Sequence, residues 1–123
     1  MSKKILVVDD SKTALMMERE ILEKRTSYQC VTACDGQEAV EKAKLERPDL
    51  VLMDVVMPRM NGFEACKMMR QQVGTRETPI VLVTTRGEEL YIEAGFQSGC
   101  NDYITKPVDG NELVALVESY LGD

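Results

Sequence analysis

The 123-residue sequence contains no histidine. Its absence removes Cys/His nucleophilic pairs and every zinc site that needs an imidazole. Cysteine is sparse, and Cys30, Cys34, Cys66 and Cys100 form no C-x-x-C pair, which leaves zinc without its usual spacing. Cys30 and Cys34 fall in a predicted strand and Cys66 on the apolar stripe of a predicted helix. All four are expected to be small buried hydrophobes in a reducing compartment. No apolar run approaches the ~20 residues of a spanning helix. The Met-Ser-Lys-Lys start lacks the apolar segment of a signal peptide. A soluble, cytoplasmic protein is expected. Positive charge is also short: 15 Lys and Arg stand against 21 Asp and Glu, a net charge of −6. That sign argues against a nucleic-acid surface, which rests on clustered Lys and Arg, and against an anionic membrane. No linker, repeat or low-complexity segment occurs.

Hydrophobic residues, at 44% of the chain, are enough for one domain that buries roughly two-thirds of its unfolded surface without disulfides or metal. The pattern alternates strand and helix five times. Ile5-Leu6-Val7-Val8 reads as the first strand. Ser11 then caps a helix to Arg25, with Ala14, Met17, Ile21 and Leu22 at helical spacing. Residues 28–34 alternate as a strand and end at the turn dipeptide Asp35-Gly36. A helix over residues 37–46, with Ala39, Val40 and Ala43 inward, stops before Pro48. Leu50-Val51-Leu52-Met53 is apolar throughout, as in a strand covered on both faces.

After a loop over residues 55–61, a helix begins near Gly62. It presents Phe63, Cys66 and Met69 on one stripe, and Gly74 is its expected end. Pro79 opens a fourth strand, followed by a helix from about residue 88 to Gly99. The fifth strand precedes a last helix, where Asp109 and Glu112 are spaced as a capping box. Alternating βα units imply a parallel sheet with helices on both faces, a doubly wound α/β fold. Ligands in such sheets bind outside the carboxyl ends of the strands.

Four of the five strands run directly into polar groups at that edge. These are Asp9-Asp10, Asp54, Thr84 and Lys106-Pro107. Adjacent carboxylates repel unless neutralised, and a hard divalent cation is the natural counter-charge. Mg²⁺ takes one or two carboxylates with water and phosphate oxygens. Mg²⁺, an ammonium and a hydroxyl around one aspartate describe a site for a phosphoryl group carried on that aspartate.

These residues resemble the receiver domain of two-component response regulators. The likeness covers the whole chain. It rests on I-L-V-V-D-D over residues 5–10, D-V-V-M-P-R-M-N-G over residues 54–62, P-I-V-L-V-T-T over residues 79–85 and D-Y-I-T-K-P over residues 102–107. The resemblance implies a flavodoxin-like five-stranded parallel sheet of order 2-1-3-4-5 with five helices. It implies that Asp54 accepts phosphoryl from a phosphohistidine on a sensor kinase or phosphotransfer protein. Asp10 would ligate Mg²⁺ directly, Asp9 mostly through water, and the Val56 carbonyl would complete the set. Lys106 would contact the phosphoryl oxygens, and the bond before Pro107 would be cis. Thr84 and Tyr103 match a switch pair, with readout by the surface of residues 88–121 to a downstream protein.

Thr85, Ser98 and Cys100 depart from the family's usual small residues, while Val56 and Arg86 occupy positions that tune dephosphorylation. The resemblance implies a monomer or a weak phosphorylation-dependent dimer rather than an enzyme acting on free substrate. A stand-alone regulator is expected, the alternative being the N-terminal receiver of a longer one. A small Asp-nucleophile phosphatase is disfavoured by the lack of a D-x-D first strand and of any substrate-binding insertion. A dinucleotide site is disfavoured by the missing G-x-G-x-x-G.

Overall fold

The computed structural model describes residues 2–85 and 89–122, without the side chains of Thr85 and residues 89–91. Five strands and five helices alternate along the chain: β1 (Lys4–Val8), α1 (Lys12–Arg25), β2 (Gln29–Ala33), α2 (Gly36–Glu46), β3 (Leu50–Asp54), α3 (Gly62–Gln71), β4 (Ile80–Thr85), α4 (Glu89–Ser98), β5 (Asp102–Lys106) and α5 (Gly110–Leu121). The strands form one parallel sheet in the order β2-β1-β3-β4-β5. This is the doubly wound arrangement the alternating pattern predicts.

Period-two alternation in each strand divides the core between two layers. Ile5 and Val7 of β1 join Leu22, Leu113 and Val117 of α1 and α5 on one face. Leu6 and Val8 join Ala39, Ala65, Cys66 and Met69 of α2 and α3 on the other. The runs Ile5–Val8, Leu50–Met53 and Ile80–Val83 of β1, β3 and β4 are apolar at every position because both faces are covered. Small residues let the outer layer approach closely. A Cβ on Gly36 would lie 2.1 Å from the Met60 carbonyl oxygen, and one on Gly62 would lie 2.5 Å from that of Asp54. The latter approach sets α3 against the end of β3.

Helix starts follow local side-chain chemistry. Ser11, Asp35, Asn61 and Asp109 each accept a backbone N–H of the first turn of their helix. The reciprocal capping box forms at α3, between Asn61 and Glu64, whereas Asp109 caps α5 by accepting from Asn111 and Glu112. Gly74 does not end α3. The helix closes at Gln72 and Gly74 sits in a 3-10 turn, Val73–Thr75, held by the Thr75 hydroxyl donating to the Met69 carbonyl at 2.5 Å. Arg70 clasps this corner by donating to the carbonyls of Gly99, Thr75 and Thr78 and to Asn101 Oδ1. Asn101 Oδ1 in turn accepts the Ile80 N–H that begins β4.

Two expected core positions moved. Met17 is half exposed, and Glu18 is buried in its place beside Leu22. Cys34 lies just past β2 and is exposed, its Sγ 3.2 Å from Glu38 Oε1, while Cys30, Cys66 and Cys100 are buried. Among the described residues no helix is long and apolar enough to cross a membrane.

Candidate functional site

Strand register brings the polar groups together. Val8 pairs with Met53, so the next residues, Asp9 and Asp54, leave neighbouring strands at one level. Asp54 pairs with Val83, which places Thr84 one step beyond it, and Thr85 pairs with Lys106 across β4 and β5. Every expected strand-end residue therefore reaches the same edge of the sheet. The Lys106–Pro107 peptide is cis.

The centre is a three-body ion pair. Lys106 Nζ lies 3.1 Å from Asp9 Oδ2 and 3.1 Å from Asp54 Oδ2. Asp9 Oδ1 accepts the Ser11 N–H at 2.9 Å, and Asp54 Oδ1 accepts the Val55 N–H at 2.9 Å. Both aspartates are buried, while Asp10 is exposed. One carboxylate oxygen from each of Asp9, Asp10 and Asp54 lies within 4.8 Å of the others. Three acids thus face one cation, and the residual charge at the sheet edge is negative.

Burial, then the Asp9 charge, pushes the Asp54 carboxyl above its ordinary range, with Lys106 pulling the other way. Burial works against the Lys106 ammonium, but Asp54 and Asp9 outweigh it and hold its pKa above the usual lysine value. Lys106 is thus favoured as the ammonium, while the charged form of Asp54 is disfavoured. This is the electrostatic state a divalent cation would relieve.

Sequence reading missed one residue here. Glu18 projects from α1 with 2% of its surface exposed, and among the described residues its Oε1 has no hydrogen-bond partner. Burial raises its pKa to about 7, helped by the negative charge of Asp9 and opposed by Lys106. Together with Ser11, Thr13, Met17, Lys106 and Pro107 it lines a cleft of about 220 Å³ beside the ion pair. The only signal in the sequence was a glutamate on the inward side of α1, one residue from the apolar position assigned to Met17.

Thr84 is buried at the end of β4. The ring of half-buried Tyr103 meets Phe96 of α4 edge-to-face, with centroids 6.1 Å apart at 83°. Val56 is exposed on the loop after β3. Arg86 lies outside the described residues, as does the side chain of Thr85.

The donor set fits Mg²⁺. Hard carboxylate oxygens converge from two strand ends, one of them on an exposed side chain open to solvent waters, and among the described residues no soft or imidazole ligand joins them.

A doubly wound sheet with three acids, a lysine and a buried threonine at its carboxyl edge defines a flavodoxin-like domain with an acidic site at that edge. Residues 5–118 match the response regulator receiver domain, and the chain belongs to that family. It is 42% identical over 121 residues to the alkaline phosphatase synthesis transcriptional regulatory protein PhoP of Bacillus subtilis, covering 98% of this chain and 49% of PhoP. It is 39% identical over 118 residues to protein PilH of Pseudomonas aeruginosa, covering 96% of this chain and 97% of PilH. The chain thus spans about half of one relative and nearly all of another. Among solved structures it resembles the receiver domain of sensor histidine kinase PA1611 from Pseudomonas aeruginosa, which holds a magnesium ion in its active-site cleft. The TM-score is 0.91 at 29% identity, with both chains covered completely.

Proposed function

We propose that the chain is a phosphorylation switch in which Asp54 accepts a phosphoryl group from a phosphohistidine of a sensor kinase or phosphotransfer protein. The observation that carries this reading is the lysine bridge, 3.1 Å from both Asp9 and Asp54. An ammonium so placed binds anionic oxygens entering between the two strands. A carboxylate oxygen of Asp54 forms the new O–P bond as the P–N bond breaks, and the electron pair leaves on the imidazole nitrogen. Lys106 then exchanges a carboxylate partner for phosphoryl oxygens, and the Thr84 hydroxyl donates to another. Asp9, Asp10, Asp54 and the Val56 carbonyl would hold Mg²⁺, which supplies positive charge at the transferring oxygens when bound.

The added dianion biases Thr84 and Tyr103, and the surface of α4, β5 and α5 carries the change to a downstream protein. Modification of Asp54 alone, with no turnover of free substrates, is the expected chemistry, and the cytoplasm is the proposed compartment. Beryllofluoride, a phosphoryl mimic, tests the switch when added with Mg²⁺ to isotope-labelled protein. The resonances of Thr84 and Tyr103 should shift in the wild type and stay fixed in Asp54→Asn. Unchanged resonances in the wild type would remove the switch pair. Rapid catalytic release of phosphate from many esters would point instead to a hydrolase.

A further inference from the structure

Charge divides sharply along this chain. Residues 1–86 carry 14 Lys and Arg against 13 Asp and Glu, whereas residues 87–123 carry only Lys106 against eight acids. The net charges of the two parts, +1 and −7, account for the −6 of the whole. Lys106 is engaged inside the site by Asp9 and Asp54. Elements α4, β5 and α5 therefore offer the outside acids without a base of their own.

Not all of those acids share a surface. Asp109 caps α5, and Glu118 lines a hollow with Lys24 and Arg25 on the α1 side. Glu93 and Glu112 are exposed on α4 and α5, and Asp102 lies half-buried on β5 between the two helices. Aromatic side chains lie among them. Phe96 is 48% exposed and Tyr120 is 37% exposed. Tyr103 meets the Phe96 ring, and the Tyr120 hydroxyl lies 3.4 Å from Asp102 Oδ2. On α5, Glu112 and Tyr120 are separated by eight residues, about 80° around the helix, so they share its outer side.

We infer that this aromatic, acidic face of α4, β5 and α5 docks a basic segment of a partner protein bearing aliphatic anchors. The inference rests on the proposed readout role of that face and adds the chemistry of what reads it. The sign of charge decides among occupants. A symmetric contact between two copies would set Glu93, Asp102 and Glu112 against their own kind, which is repulsive. Nucleic acid and anionic lipid are repelled for the same reason. A segment carrying Lys or Arg meets opposite charge at three points. Guanidinium or ammonium groups also stack on the faces of Phe96 and Tyr103, and aliphatic side chains cover their exposed edges.

The test is titration of the isotope-labelled full chain with an amphipathic Leu/Lys peptide, and with a Leu/Glu peptide of the same pattern, each with and without beryllofluoride. The Leu/Lys peptide should shift Glu93, Phe96, Asp102, Tyr103, Glu112 and Tyr120 as one contiguous patch, weakening as salt is raised. The Glu93→Lys/Glu112→Lys double variant should lose roughly tenfold in affinity for it. Equal binding of both peptides, shifts centred elsewhere, or an unchanged affinity in the double variant would overturn the inference. Concentration-dependent dimerisation through this face, seen by sedimentation, would overturn it as well. Patch binding that is identical with and without beryllofluoride would leave the docking chemistry standing and contradict the switch reading instead.

Discussion

At the scale of single residues, Glu18 and Lys106 make opposite predictions. The folded-state pKa of Glu18 is raised to about 7 from an ordinary 4.5. Between those values the folded protein holds a proton that the unfolded chain releases, so stability falls as pH rises through the window. The cost at the upper end is roughly 3 kcal/mol. Urea midpoints without divalent cation should therefore drop from about pH 5 to about pH 8. The Glu18→Gln variant should keep only the shallower slope left by Asp54, whose shift has the same sign. Equal slopes in the two proteins would show that Glu18 is not held protonated.

Lys106→Ala acts the other way, because it leaves two buried carboxylates without their ammonium. It should cost about 1–3 kcal/mol near neutral pH. Added Mg²⁺ should restore more stability to the variant than it adds to the wild type, as read from denaturant midpoints with and without the ion. The strand-end residues were legible in the sequence because a strand's end fixes where its next side chain goes. Glu18 was not, because a one-residue error in the phase of a helix, 100° of rotation, exchanges Met17 for Glu18 at the core.

At the scale of elements, the site depends on how closely α3 approaches β3. Gly62 lies where a Cβ would come within 2.5 Å of the Asp54 carbonyl oxygen and 3.0 Å of the Val55 Cα. Both obstacles are backbone and cannot rotate away. Gly62→Ala should cost about 1–3 kcal/mol and displace the end of β3. Phosphorylation at Asp54 should slow in this variant even where it remains folded, measured as the rate of adduct formation under folding conditions. A stable variant with an unchanged rate would mean that the loop absorbs the methyl group freely.

Strand positions and helix spans were readable within about a residue because apolar runs and capping residues are local signals. The 3-10 turn at Val73–Thr75 was not. It is held by the Thr75 hydroxyl and by Arg70, whose guanidinium gathers carbonyls from two separate segments, residues 75–78 and Gly99. Gly74 suggested a helix stop on local grounds, and a long-range contact moved the stop to Gln72. Cys34 likewise read as strand core, but β2 ends one residue earlier, where its N–H turns to Glu38.

At the scale of the whole molecule, the alternating pattern and the register of five parallel strands turn scattered residues into one pocket. The acids Asp9, Asp10 and Asp54 converge with an excess of negative charge that Lys106 does not cancel. The parallel, doubly wound class was legible in the alternating pattern, whereas the strand order followed only from the resemblance to receiver domains. The distribution of charge over the outer face came from seeing which acids are already engaged by caps and neighbouring helices. The central claim is that Asp54 carries a phosphoryl group in a metal-assisted site. The most direct measurement is intact-protein mass spectrometry after incubation with acetyl phosphate, for the wild type and Asp54→Asn, with Mg²⁺ or with a chelator. One labile phosphoryl adduct should form on the wild type with Mg²⁺ and be absent in the other three samples. An adduct of equal yield on Asp54→Asn, or on the chelated wild type, would contradict the account.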